Sequence, residues 1–414
     1  MFKLKKKNLF DNIILLLLFS QLLILGYFGK IELLNKIISI LIIIKIIPKS
    51  NIQKQNKYFL LLIMIIMFFL FESYAFGFNL NIAKSNFLIL LYPLFYTYYL
   101  YDLNCRKPYY LKNIIERNRK TFNIILLINV LFVFFQSTKH ILLPTMEYVA
   151  IDFDKDVASG LFYYGGTHCL CMFNIFIILL NMSYIKKENR FQKKILCIIV
   201  TILMIALSIW MSSLNDNKVF LIFLPLFIFA RMLFKLSEKR RNRIILFFRK
   251  HLIMIVSIIV IVIIVYYNIS SFKIILDEYL FKTIDVIMNT TNNSIAVNGS
   301  NERIGMITYS LTHPETWFLG IGIGKINFYT RGLLGFNHFG ISSLGALLIL
   351  GGLLFTALIY YFYIKVIYNS LLAKTSFKKY LVVLLILFIS MYNQCLFIPT
   401  LMFISILDIL VLEY

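Results

Sequence analysis

Apolar runs close to the length that crosses a bilayer recur along the whole chain, and no other feature restricts its fold so tightly. A hydrocarbon core about 30 Å thick takes roughly 20 helical residues. Inside it each backbone N–H and C=O must be satisfied within the segment, so runs of this length become helices. With 60% hydrophobic residues over 414 positions and a mean hydropathy of +0.82, a water-soluble exterior is excluded. The expected fold class is an all-α, polytopic integral membrane protein, with residues 1–414 forming one membrane domain.

About twelve spans are expected, at 11–29, 33–48, 58–78, 86–101, 122–137, 165–185, 195–211, 219–234, 252–268, 341–364, 380–396 and 399–413. The first run, "KLKKKNLFDNIILLLLFSQLLILGYFGK", lacks a small-residue cleavage site and is read as a span rather than a removable signal. The second carries Lys36 and Lys45, which suits a tilted or partly interfacial helix, and "MYNQCLFIPT" marks a kinked division between the last two. The five cysteines are scattered, Cys169 and Cys171 without a second pair to complete a metal site, and they read as ordinary buried thiols.

Charge orients this threading. The segments "KLKKK", "PKSNIQKQNK", "CRKPYYLKNIIERNRK", "KKENRFQKK", "RMLFKLSEKRRNRIILFFRK" and "KTSFKK" alternate with segments poorer in Lys and Arg. They hold about 30 of the 42 basic residues and fall on one side, which places both termini in the cytoplasm. The formal charge of +23 therefore fits anionic lipid headgroups, and no nucleic-acid partner is expected. The outer side is left with two long segments, 138–165 and 269–340, the latter preceding the last three spans. Long loops on one face are where function concentrates.

The larger loop carries cations where the outer side usually lacks them: Lys273, Lys282, Arg303, Lys325 and Arg331. Long translocated segments escape the charge rule, but a guanidinium at a membrane surface also suits a phosphate ligand. In "FLGIGIGK", Gly320, Gly322 and Gly324 alternate before Lys325. Such spacing serves either tight backbone packing or close approach to an anion. His313, preceding Pro314, is expected in extended backbone. His338 stands at the foot of the next span, at the membrane boundary, where a histidine either hydrogen-bonds structurally or acts on a ligand. Asp152, Asp154 and Asp156 alternate in the first long loop, with Glu147 nearby, but without a calcium-loop glycine or closing glutamate they read as a solvated face. Asp216 and Lys218 share a short outer turn, as an ion pair would. The polar "NTTNNSIAVNGSNE" carries no evident chemistry, and the aromatic Trp317, Phe318, Phe328, Tyr329 and Phe336 read as an interfacial belt or as sugar-stacking faces.

Taken together, "NERIGMITYSLTHPETWFLGIGIGK" and "FNHFGISSLGALLILGGLLF" resemble the signature region of the O-antigen polymerase and O-antigen ligase superfamily. The matching positions are Arg303, Pro314, Gly320, Gly322 and His338, with Gly351 and Gly352 inside the following span. Asn337 precedes His338 where the family often has Asn after the His, and Lys218 stands where an earlier outer turn often carries Arg. The resemblance covers about 60 residues, with the topology matching around it.

It implies a metal-independent glycosyltransferase, without cofactor, at the outer face of the bacterial cytoplasmic membrane. It would join undecaprenyl-diphosphate-linked oligosaccharide repeat units into an O-antigen, capsule or exopolysaccharide. Catalysis is expected from Arg303 and His338, and substrate binding from Arg331, Lys325, Lys218, His313, Gly320 and Gly322. The partners implied are the lipid-linked oligosaccharides, membrane lipids, a chain-length regulator and a flippase. A ligase, moving the finished glycan to a lipid A core or a protein, shares the motif. A flippase or transporter of lipid-linked sugars is the third reading. Against it stand the lack of an internal repeat and the collection of polar residues in the outer loops.

Overall fold

A computed structural model gives the architecture and describes residues 9–21, 31–46, 53–76, 79–142, 158–162, 166–215, 219–235, 299–326 and 342–414. Among them all regular structure is helical. The helices are α1 (Leu9–Ser20), α2 (Ile31–Ile46), α3 (Gln53–Ala75), α4 (Leu80–Arg106), α5 (Tyr110–Arg117), α6 (Arg119–Lys139) and α7 (Gly166–Lys187). They continue as α8 (Phe191–Leu214), α9 (Val219–Phe234), α10 (Gly299–Thr312), α11 (Ser343–Ser370), α12 (Ser376–Tyr392) and α13 (Pro399–Val411). Among the described residues five segments are long and apolar enough to cross a membrane, within α3, α6, α7, α8 and α11, and α1, α9 and α13 are shorter apolar helices. The protein is a polytopic helical membrane protein.

The interior is built on α7 and α13. From Cys169 to Leu180 α7 is buried, and α13 is buried from Pro399 through Val411. A helix apolar on every face belongs among other helices. These two pack together, with α4 against α13 and α6, α8 and α9 against α7. By contrast, α8 leaves Leu196, Ile199 and Ile202 exposed on one side, the face expected toward lipid.

Local chemistry sets the helix ends. Asn79 caps α4 by accepting from the Asn81 amide at 3.0 Å, which starts the helix six residues before the apolar run at 86. Pro93 sits inside α4, and Thr97 Oγ1 donates to its carbonyl at 2.7 Å. Ser342 and Thr375 cap α11 and α12. The division in "MYNQCLFIPT" falls at a turn, with α12 ending at Tyr392 and Pro399 opening α13. The short amphipathic α5 has no counterpart among the expected spans, because its apolar face is only Leu111, Ile114 and Ile115.

Buried polar groups stitch the bundle. Gln21 Nε2 donates to Asn35 Oδ1 and Tyr96 Oη, and Thr400 Oγ1 donates to Gln21 Oε1, tying α2, α4 and α13 to the residue that follows α1. The end of the first long loop is drawn inward: Gln136 bonds both the amide and the carbonyl of Gly160, and Asn129 Oδ1 accepts from the Leu161 amide. Near the start of α1, buried Asp11 meets Lys45, Arg106 and Lys107, while Arg106 also reaches Asp102 at 2.5 Å. Burial, and then the neighbouring Arg106 guanidinium, hold the Lys107 ammonium below the usual lysine range. Lys36 pairs with Glu32 on the exposed side of α2. Four cysteines are buried free thiols and Cys105 is exposed.

Two features depart from the sequence reading. First, α11 is broken at Gly352, with φ 62° and ψ −171°. Second, polar groups do not all collect in loops: Glu72, Arg231 and Asp408 are buried within α3, α9 and α13. An ionisable group costs most at such positions, and there it marks function more often than packing. The expected span 252–268 lies outside the described residues.

Candidate functional site

The break in α11 is filled by backbone from the glycine stretch. After α10, His313 is extended (φ −108°, ψ 102°) as its place before proline requires, and Pro314–Thr316 forms one 3₁₀ turn. Thr316 Oγ1 donates to the Ser310 and His313 carbonyls, and Trp317 Nε1 to the Leu311 carbonyl, so the turn is tied back to α10. The chain then runs against α11. The amides of Ile321 and Gly322 donate to the Ile349 and Leu350 carbonyls, each at 3.0 Å. In return, Leu353 and Leu354 donate to the Trp317 and Phe318 carbonyls at 2.7 and 3.2 Å. Four groups stranded by the break thus find partners, the condition for interrupting a helix in a membrane protein.

This contact explains the glycines. A Cβ on Gly320 would stand 2.4 Å from the Leu350 carbonyl, and one on Gly352 2.4 Å from the Phe318 oxygen and 2.5 Å from the Gly320 amide nitrogen. Both residues have positive φ. Gly322 (φ 108°) lies against Phe76 at the end of α3. Asn86 on α4 fixes the far end of the stretch, its Nδ2 donating to the Ile323 and Ile326 carbonyls at 2.6 and 2.8 Å. Gly320 and Gly322 therefore serve close backbone packing first.

Arg303 lies on the partly buried side of α10, whose Met306 packs against Gly345 of α11. Its Nη2 is 3.5 Å from Nε2 of His168, in the first turn of α7. A guanidinium only donates, so the ring nitrogen is the acceptor, and a neutral imidazole then carries its proton on Nδ1. That Nδ1 is buried and, among the described residues, has no hydrogen-bond partner. The pair joins two elements 135 residues apart and presents a fixed cation beside a histidine.

The other expected site residues divide as follows. His313 stacks on Tyr309 at 3.7 Å, its Nδ1 3.0 Å from the Tyr309 carbonyl oxygen, so the end of its own helix engages it. Lys325 is exposed, with Nζ 5.8 Å from the Phe76 ring centre. Trp317 and Phe318 are 48% and 68% exposed at the loop's entry. Lys218, Arg331 and His338 lie outside the described residues, as do Lys273, Lys282, Glu147, Asp152, Asp154, Asp156, Asp216, Phe328, Tyr329 and Phe336. Arg303 and Lys325 therefore belong to one connected assembly of α10, the glycine loop and α11.

Three residues of this region carry only a weak signal in the sequence. His168 stood in "GGTHCLC", where the cysteines drew attention. Asn86 reads as a polar lead-in to a span. Glu72, the one charge in "FLLLIMIIMFFLFESYAF", was visible as an ionisable residue in an apolar run. No family model matches the chain, and neither the characterised proteins nor the solved structures contain a match to it.

Proposed function

We propose that this protein polymerises undecaprenyl-diphosphate-linked repeat units at the outer face of the bacterial cytoplasmic membrane, through twelve spans with both termini in the cytoplasm. The observation that carries the reading is the Arg303–His168 pair, which joins α10 to α7. In the proposed step an acceptor sugar hydroxyl forms a bond to the donor's anomeric carbon as the bond to the diphosphate oxygen breaks. The electron pair leaves with the lipid diphosphate, and the hydroxyl proton passes to an imidazole, assigned to His338. Negative charge grows on the leaving diphosphate, where a fixed guanidinium stabilises the transition state more than the ground state. Arg303 supplies that charge, and His168 orients it through the contact to Nη2. The polyprenyl tail remains among the apolar helices.

Two observations favour a second reading, export of lipid-linked sugars. A broken helix and buried charges inside spans are features of transporters, and α11, Glu72, Arg231 and Asp408 provide them. Gel analysis of surface glycans from cells carrying Arg303→Ala, compared with a deletion strain, separates the readings. Loss of the ladder with a single unit on the final carrier, at normal protein levels, supports polymerisation. Long undecaprenyl-linked chains that never reach the carrier indicate a ligase. Single lipid-linked units trapped on the cytoplasmic side indicate export, and a normal ladder removes Arg303 from the site.

A further inference from the structure

We propose that Glu72 is the carboxylate of a monovalent-cation site, taking a sodium ion or a proton, between α3 and the break in α11 under the glycine loop. The inference stands independently of the reaction proposed above.

Ring and hydrogen-bond contacts locate the carboxylate. At one end of the α3–α11 pair Asn369 Nδ2 donates to the Tyr58 hydroxyl, and midway Phe355 lies 5.7 Å from Phe68 and 6.5 Å from Phe69. Residue numbers rise on α3 as they fall on α11, so the helices are antiparallel. One turn beyond Phe68 and Phe69 on α3 come Glu72 and Ser73, and one turn before Phe355 on α11 come Gly351 and Gly352. The next turn of α3 brings Phe76, which touches Gly322 of the loop. Glu72 shares the face of Phe69 and Phe76, level with the break.

Glu72 is 0% exposed, and among the described residues neither carboxylate oxygen has a hydrogen-bond partner. The Ser73 hydroxyl beside it and the Thr356 hydroxyl, one turn past Gly352, are likewise buried and without partners. Among the described residues no charged group of the surrounding elements pairs with the carboxylate. Lys325 on the loop and Lys84 on α4 are exposed, α11 has no charged residue before Lys365, and the nearest other charge on α3 is Lys57. An isolated carboxylate in such surroundings costs many kcal/mol, so a positive charge must accompany it. One negative charge calls for one positive. A divalent ion would leave excess charge among Phe68, Phe69, Phe76 and Phe355, whereas a monovalent one balances the site. Hydroxyls and the backbone of an interrupted helix are the oxygen ligands that small cations take in membrane proteins.

The test is thermal unfolding of the purified full-length protein in detergent, wild type against Glu72→Gln, which keeps the shape and removes the charge. Sodium chloride is titrated against choline chloride at constant ionic strength, and pH is varied separately. For a sodium site the wild-type midpoint rises with sodium and saturates, and Glu72→Gln stays flat. For a proton site sodium has no effect. The bound proton then stabilises the fold at low pH, so the wild-type midpoint falls as pH rises while Glu72→Gln does not follow. The same response to both ions in wild type and variant overturns the proposal. If Glu72→Gln does not fold, a wild-type midpoint indifferent to sodium and pH overturns it equally. Where the wild type does respond to sodium, Ser73→Ala locates the site by raising half-saturation about tenfold, and an unchanged half-saturation overturns the sodium assignment.

Discussion

Replacing Gly352 with alanine tests the most unusual contact in the structure. At φ 62° and ψ −171° the residue occupies a region that essentially only glycine enters, and a side chain there costs about 1–3 kcal/mol. The added Cβ would also stand 2.4 Å from the Phe318 carbonyl oxygen, and overpacking of that kind costs about 1–3 kcal/mol more. The protein can escape by releasing the loop, but it then forfeits four backbone hydrogen bonds worth about 0.5–1.5 kcal/mol each. Both routes amount to about 2–6 kcal/mol, so neither offers relief. The expected outcome is a fall in the thermal midpoint on the order of 5–15 °C, measured in detergent at a fixed scan rate. Gly351→Ala is the control. Its Cβ would crowd the buried Phe355 side chain of the same helix, 2.6 Å from Cδ1, but without the left-handed backbone of Gly352, so it separates crowding from backbone strain. Gly320→Ala should match Gly352→Ala, and the double variant should lose far less than the sum, since both disrupt one contact. A Gly352→Ala midpoint equal to those of wild type and Gly351→Ala would refute the reasoning.

Asn86→Leu removes the two hydrogen bonds that hold Ile323 and Ile326, a loss of about 1–3 kcal/mol. It is expected to speed trypsin cleavage after exposed Lys325 without altering cleavage elsewhere. Asp11→Asn leaves Lys45, Arg106 and Lys107 around one fewer carboxylate, and breaking a buried cluster in this way costs about 3–5 kcal/mol. Its midpoint should drop and recover in part when Lys45→Met is added; no recovery would mean that the two do not interact.

The helices were legible because a bilayer demands long apolar runs, and composition registers length well. The extra turns of α4 at its start were hidden, since "NLNIAKSN" is polar and only the Asn79 cap reveals it as helix. The break in α11 was hidden for the opposite reason: "ALLILGGLLF" has the hydropathy of an uninterrupted span. Two adjacent glycines permit a break but do not require one. What requires it is the partner segment from Trp317 to Gly322, whose alternating glycines read as fit for close approach while the surface they approach does not show in the sequence. Arg303 was legible as a cation in a long segment between apolar runs; its neighbour His168, on another helix, was not.

The same break changes how the buried charges are to be understood. Had Glu72 faced lipid or a loop, its carboxylate would reach water at the boundary and need no partner. Instead it is buried, with Phe76, which meets Gly322, one turn on along α3 and Phe69, which meets Phe355, one turn before. Neutralising Glu72 and seating the loop therefore act on the same few residues. Loop release would admit water to the carboxylate, and an ionised carboxylate would favour that release. Lys325 rides on the loop, and Arg303 is joined to it through α10 and the turn at Thr316. A cation at Glu72 would thus bias the position of Lys325 and Arg303, the groups proposed to meet the diphosphate.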